Sequence, residues 1–195
     1  YRDIRQDSTA QLSMSLATRM IVLQEMGLEE LIQEQRSRTR VIYQSVAPPQ
    51  AQPRLRKYFQ ICVIGHLRAE KDPFRCAHAL SHLPARPTIR VIQLGGALEP
   101  AMAEEAQALM QRDSRYLWLG ELAHGRTMRK LAQSHLMVIS SRMEGGANVI
   151  CEAVAAGVPV IASDISGNIG MLGGDYAGYY PLGNEAALAE RISQA

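Results

Sequence analysis

Nothing in this sequence is long and apolar enough to cross a membrane as a helix. The longest uncharged apolar stretch, residues 153–163, is interrupted by Gly157 and Pro159 and falls short of the roughly 18 residues that a span needs. An excess of one sign of charge is lacking too: the formal net charge is +2, too little to argue for a nucleic-acid or anionic-membrane partner. Cysteine is sparse. Cys62, Cys76 and Cys151 are odd in number, lack metal-ligand spacing and sit among apolar or small residues, which reads as reduced interior thiols of a cytoplasmic protein. Internal repeats, low-complexity tracts, a nucleophile elbow and a Walker phosphate loop are all missing, and Gly167, Gly170, Gly173 and Gly174 do not follow a strand as a dinucleotide fingerprint would. His78 and His82 are spaced as helix-borne metal ligands can be, but no third ligand candidate accompanies them. The chain opens on Tyr1 with no initiator Met or signal-like region, and the expectation is that the native N-terminus lies upstream.

What is present is an alternation of short elements. Residues 8–24 hold a helical pattern that gives way to a strand candidate at 20–23; residues 27–35 look helical and 39–44 extended. This αβαβ piece cannot enclose a core alone, and residues 1–45 read as the tail end of an N-terminal domain. Residues 46–57 carry Pro48, Pro49 and Pro53 without periodicity, the composition of an extended interdomain linker. From 58 to 195 the pattern predicts strands at 59–64, 89–94, 116–119, 136–139 and 158–162. Helices follow at 72–83, opened by Asp72 and Pro73, then at 100–111, at 126–133, from near Ala147, and at 185–192. Short apolar strands each followed by a helix argue for an α/β fold, a parallel sheet with helices on both faces. Ligands of such sheets sit outside the carboxyl ends of the strands. The glycine and charge clusters at 65–72, 95–96, 120–124 and 142–148 fall there.

Residues 138–163 organise the rest: a buried strand, a glycine turn, a helix and a second buried strand. A glycine turn feeding a helix start can hold an anion on its free N–H groups. Glu144 and Glu152 bracket that turn and suit the hydroxyls of whatever the anion carries, as in a sugar nucleotide. With a helix starting near Ala147, Glu152 lies about 7–8 Å along the axis, the scale of a diphosphate between two sugars. Its neighbours Cys151, Ala153, Val154 and Ala155 are apolar or small, so its carboxylate interrupts a buried face and needs partners. In the loop at 65–71, Gly65 permits a tight turn while His66, Arg68 and Lys71 are potential phosphate cations. A solvated loop of mixed charge, with Glu70 inside it, is the competing reading.

On these residues, 59–195 resembles the C-terminal, donor-binding domain of GT-B glycosyltransferases, specifically the retaining group 4. Glu144 and Glu152, with seven residues between them, match that family's paired-glutamate motif; residues 157–163 match its following strand, 65–71 its phosphate loop, and 119–122 the segment whose backbone faces the nucleobase. The resemblance implies a Rossmann-like domain that binds a nucleotide sugar, a UDP-sugar above all, with no metal or other cofactor. It implies that Lys71 and Arg68 hold the diphosphate, Glu144 the donor-sugar hydroxyls and Glu152 the ribose. Gly65, His66, Leu122 and Gly145 would line the donor site, and the N–H groups of Gly146, Ala147 and Asn148 would meet phosphate and sugar. A small-molecule acceptor would be held by the absent N-terminal domain. The chain departs from the pattern in three places: His66 stands where an Arg is usual, Gly146 and Ala147 replace Phe and Gly, and a Glu common near Gly170 is lacking. A narrower resemblance, carried by residues 1–4, 144–148 and 167–179, is to the selenosugar synthases of selenoneine biosynthesis, which join selenophosphate to a UDP-sugar. Two other readings compete: a non-catalytic nucleotide- or phosphosugar-binding module, and an NAD-linked oxidoreductase.

Overall fold

The computed structural model describes residues 7–85 and 88–195; the stretch at 1–4 that contributes to the narrower resemblance lies outside them. The N-terminal part comprises α1 (Ser8–Leu16), β1 (Met20–Val22), a 3-10 turn at Glu25–Leu28, α2 (Gln33–Ser37) and β2 (Thr39–Val41), with β1 and β2 paired in parallel. Asp7 starts α1 by accepting from the N–H groups of Thr9 and Ala10 at 2.9 and 3.1 Å, the usual role of an N-cap carboxylate. The helix expected over 27–35 is instead a 3-10 turn and a separate short helix, in keeping with the low helix propensity of Gly27.

After residues 46–57 the alternation begins. It runs β3 (Phe59–Ile64), α3 (Arg75–Ala79), β4 (Ile89–Leu94), α4 (Pro100–Arg112), β5 (Tyr116–Trp118) and α5 (His124–Ala132). It continues with β6 (Leu136–Ile139), α6 (Asn148–Ala155), β7 (Val160–Ser163), α7 (Ser166–Leu172), β8 (Tyr179–Tyr180) and α8 (Glu185–Gln194). The strands form one parallel sheet in the order β5-β4-β3-β6-β7-β8. Successive side chains of a strand point to opposite faces, and both faces are covered. Ile61, Val63, Val91, Leu136, Val138 and Ile161 pack on one face beneath α3, α4 and α8. Cys62, Ile92, Leu94, Met137, Ile139 and Val160 pack on the other beneath α5 and α6. Burying both faces is why these strands read as continuous apolar runs rather than alternating ones.

Two elements were not anticipated. β8 is a two-residue edge strand, too short to register as a pattern, and α7 carries Gly167, Asn168 and Gly170 in seven residues, a composition that disfavours a helix on propensity alone. One anticipated element is different. Asp72 does not cap the following helix: it sits in the left-handed region (φ 43°) closing a 3-10 turn at Ala69–Lys71, and α3 begins only at Arg75. Its carboxylate is taken by Arg75, which donates from Nε at 2.9 Å and from Nη2 at 3.3 Å. Cys62 and Cys76 are interior as expected, and burial pushes both thiols up to about 12; Cys151 is half-buried. Among the described residues no helix is long and apolar enough to cross a membrane.

The strand order reverses at β3, which has β4 on one side and β6 on the other. A crevice opens outside the carboxyl ends of the two strands at such a point. It is bounded by the loops after β3 and β6.

Candidate functional site

Because β3 and β6 are neighbours, the loops leaving them run side by side and are stitched together. Arg142 N donates to the Glu70 carbonyl at 2.8 Å, and Ser140 Oγ to the carbonyls of Lys71 and Asp72 at 3.2 and 2.8 Å. The stitching brings Lys71 against Glu144: Nζ donates to Oε1, and Ser141 Oγ donates to the same oxygen at 2.6 Å. Both side chains are largely enclosed, at 22% and 10% exposed, so the pair is poorly screened by water. The Lys71 stem crosses Gly65, 3.7 Å from where a Cβ would stand.

The other two basic residues of this loop behave differently. The Arg68 Nε is buried without a hydrogen-bond partner, and no ion pair engages Arg68 among the described residues. His66 is exposed and leans toward the loops after β4 and β5: a Cβ on Gly96 would stand 3.6 Å from its Nδ1 and 3.4 Å from Glu121 Oε2. It is not part of the Lys71–Glu144 contact.

Beyond Glu144 the chain turns through Gly145 and Gly146 into α6, with Ala147 at the N-cap position and no side chain capping it. The Asn148 amide turns instead to Glu152, donating to Oε1 at 3.1 Å. The N–H groups of Gly146, Ala147 and Asn148 accordingly have no acceptor among the described residues. Three free N–H groups at a helix start, where the macrodipole is positive, are the kind of arrangement that can accept an anion.

Glu152 lies past the turn, away from Glu144. It is half-buried on α6 in the wall of a cleft of about 790 Å³ lined by Ser45, Val46 and Pro49 and by His124, Arg126 and Arg129 of α5. Its neighbours are not uniformly interior as expected, since Val154 is 61% exposed. Burial nevertheless holds its carboxyl above the ordinary range, with the His124 charge and the Asn148 amide pulling it partway back. A folded-state carboxyl pKa above the unfolded value means that ionisation costs stability. The cost is absent below the unfolded value, grows as pH rises toward the folded one, and is complete above it. Glu152→Gln should therefore raise the Tm of the unliganded chain by about 1–2 °C at pH 7–8, an effect kept small by partial exposure, and leave it unchanged near pH 3. A Tm loss at pH 7–8 would show the carboxylate to be stabilising instead. Leu122, also singled out from sequence, is half-buried against the core beneath α5 and α6, and its carbonyl accepts from Thr127 Oγ1 at 3.4 Å at the base of α5.

Three parts of this arrangement were not singled out from sequence. Ser140 and Ser141 were signalled only by two hydroxyls directly after a buried strand. His124 belongs to a recognised loop cluster but had no assigned partner. Leu23, Gln24 and Gln44 cover the glycine turn from the N-terminal part, and a contact across more than a hundred residues leaves no local pattern.

Residues 49–195 match the family model described as glycosyl transferases, group 1. The whole chain superposes on Anabaena HepE in its complex with UDP and glucose, with a TM-score of 0.83, 21% identity and 57% of that protein covered; the complex with UDP-glucose gives 0.82, 21% and 58%. A glycosyltransferase from Rickettsia africae matches over 98% of this chain and 55% of its own length, with a TM-score of 0.78 and 17% identity. The apo form of the lipopolysaccharide outer core galactosyltransferase WaaB matches with 0.72, 18%, and 98% and 57% of the two chains. Identities this low carry the fold, and the chain spans a little over half the length of the structures it matches.

Proposed function

The chain belongs to the group 1 glycosyl transferases, its parallel sheet being the C-terminal domain of a GT-B fold, and from that premise we propose that it holds a nucleotide-sugar donor, a UDP-sugar, for glycosyl transfer. One observation carries the reading. A lysine–glutamate pair, a turn of free N–H groups and a cleft with a half-buried carboxylate follow one another from the loop after β6 into α6. The sequence sugar, diphosphate, ribose has the same layout. Glu144 accepts from the donor-sugar hydroxyls, Lys71, Arg68 and the N–H groups of Gly146, Ala147 and Asn148 take the diphosphate, and Glu152 accepts from the ribose in the cleft near Leu122. As the bond from the anomeric carbon to the diphosphate breaks, negative charge grows on the departing oxygen. Fixed cations and N–H dipoles in a water-poor crevice stabilise that charge. The complexes of Anabaena HepE with UDP and with UDP-glucose lend the reading support at the level of ligand class.

Residues 7–45 then form the last part of an acceptor-side domain, with 46–57 as the connection. The apolar side chains exposed there, Leu12, Leu16, Ile21 and Ile32 at 58% or more, support this. The protein works in the cytoplasm, where three unpaired thiols stay reduced. The narrower sequence resemblance makes selenophosphate the acceptor, its selenium bonding to the anomeric carbon as the diphosphate leaves.

Melting the chain with and without UDP tests donor binding. A ligand at about 100 times its Kd stabilises by roughly 2.7 kcal/mol, about 5–10 °C for a chain of this size. Glu152→Ala should abolish most of that shift. No shift with UDP, GDP or ADP at millimolar concentration would refute the donor site. Turnover of a UDP-sugar by the intact protein, with selenophosphate and with hydroxyl acceptors in parallel, then separates a transferase from a binding module.

A further inference from the structure

The glycine turn is held from outside the strand–helix unit to which it belongs. Gln44 Nε2 donates to the Gly146 carbonyl at 2.8 Å, and Gln24 Nε2 reaches the Gly145 carbonyl at a longer 3.4 Å. Both glutamines come from the segment that precedes residues 49–195, the part matched to the family. A planar trans peptide carries its C=O and the following N–H on opposite sides. Two amides drawing the carbonyls of residues 145 and 146 toward the N-terminal part therefore aim the N–H groups of Gly146 and Ala147 away from it. These are two of the N–H groups without an acceptor among the described residues.

We propose that Gln24 and Gln44 are positioning residues that orient the Gly146 and Ala147 N–H groups toward an oxygen of the bound diphosphate. The proposal rests on the donor-site reading given above.

The surroundings are shaped for these two side chains. Gln24 is 2% exposed and its Oε1 has no partner among the described residues. A half-satisfied buried amide is costly, whereas an apolar side chain of similar length would escape the cost. The amide is kept where its Nε2 meets the turn. Room for it exists because residue 170 is glycine, where a Cβ would stand 1.8 Å from Gln24 Oε1. Gly146 likewise admits Leu23, whose Cβ would be 2.7 Å from a Cβ on residue 146. Gln44 is tethered in turn, its carbonyl accepting from Cys151 Sγ on α6 at 3.8 Å.

Replacing both residues by methionine keeps side-chain length and removes both amide donors. Calorimetric titration of the chain with UDP and, separately, with uridine reads the effect. The Q24M/Q44M variant should bind UDP about tenfold more weakly and uridine as wild type does, because uridine carries no phosphate to meet the aimed N–H groups. In amide NMR spectra, the downfield shifts of Gly146 and Ala147 on adding UDP should be lost. Gln44→Met alone replaces a half-buried residue, so if the double variant does not fold, the single variant should still show a few-fold loss confined to UDP. Unchanged UDP affinity, or equal losses for UDP and uridine, would overturn the positioning role while leaving the donor site standing. A wild-type chain that binds no nucleoside diphosphate would overturn both.

Discussion

Glu144→Gln should tighten UDP binding several-fold while cutting UDP-sugar turnover by about 10–100-fold. The opposite signs follow from the commitment of Lys71. In the unliganded chain its ammonium is held by Glu144, which Ser141 also supports. A diphosphate entering the crevice must share that ammonium with a carboxylate, and it meets the repulsion of the carboxylate as well. Neutralising Glu144 releases Lys71 and removes the repulsion. UDP has no hexose, so it loses nothing in exchange. The complete donor loses its charged acceptor for sugar hydroxyls, and its transition state loses the orientation that acceptor supplied. Lys71→Ala should lower both quantities, UDP affinity by about 10–100-fold. Calorimetry with UDP and donor consumption by the intact protein measure the two effects. If both variants weaken UDP binding alike, Glu144 and Lys71 act as one anion site, and the division of labour between them is wrong.

That pair illustrates what could be read from sequence. Lys71 and Glu144 stand after strands whose apolar runs are continuous because both faces of a parallel sheet are buried. Such runs announce themselves, and their C-terminal loops were therefore identifiable as the site edge. The adjacency of β3 and β6 was not readable, since it depends on strand order. Elements fixed by tertiary contact were equally silent. α7 has a poor helical composition, yet Asn168 Nδ2 donates to the Ser163 carbonyl at 2.9 Å and Gly167 lies where a Cβ would be 2.0 Å from the Glu144 carbonyl oxygen. Its glycines answer to the close approach of the Glu144 loop and of Gln24, and not to helix propensity. The expectation that Asp72 caps a helix failed for a related reason. Arg75 competes for its carboxylate and also donates to Glu185 on α8 at 2.7 Å, so the local capping preference yields to an ion pair joining two helices.

Reading Glu144 and Glu152 as two ends of one ligand gains a physical basis from their environments. Glu144 is paired with a cation, whereas Glu152 is raised by burial and has an amide and a nearby histidine as its neighbours. A carboxylate already neutralised by a lysine suits exchange with a charged ligand. One held at a cost in stability suits a neutral diol that can satisfy it by hydrogen bonding. The difference between the two glutamates would then match a donor sugar whose glutamate shares a lysine with the diphosphate and a ribose whose neutral diol meets a carboxylate that has none.

Gly95→Ala is expected to lower the Tm by about 10 °C. The residue follows β4 with φ at +143°, and an added Cβ would stand 2.1 Å from the Gly65 carbonyl oxygen and 2.8 Å from His66 N. Neither backbone can retreat cheaply. β3 and β4 are in register from Phe59↔Ile89 to Ile64↔Leu94, Gly65 N donates to the Leu94 carbonyl at 2.8 Å, and Gly95 N donates to the Gly120 carbonyl at 2.9 Å. The Gly95 carbonyl is held as well, by Trp118 Nε1 at 2.8 Å. Backbone strain and a forced shift together should cost about 3–4 kcal/mol. The shift would also pass into Gly65, over which the Lys71 stem runs, so protein that remains folded at low temperature should bind UDP poorly. Gly145→Ala is the control: nothing lies within 4 Å of its added Cβ, and its stability should stay within about 0.5 kcal/mol of wild type. Thermal melts of the two variants side by side decide the matter. A Gly95→Ala protein melting within a degree or two of the control would mean that the loops after β3 and β4 do not approach as described, and that Lys71 is not held over Gly65.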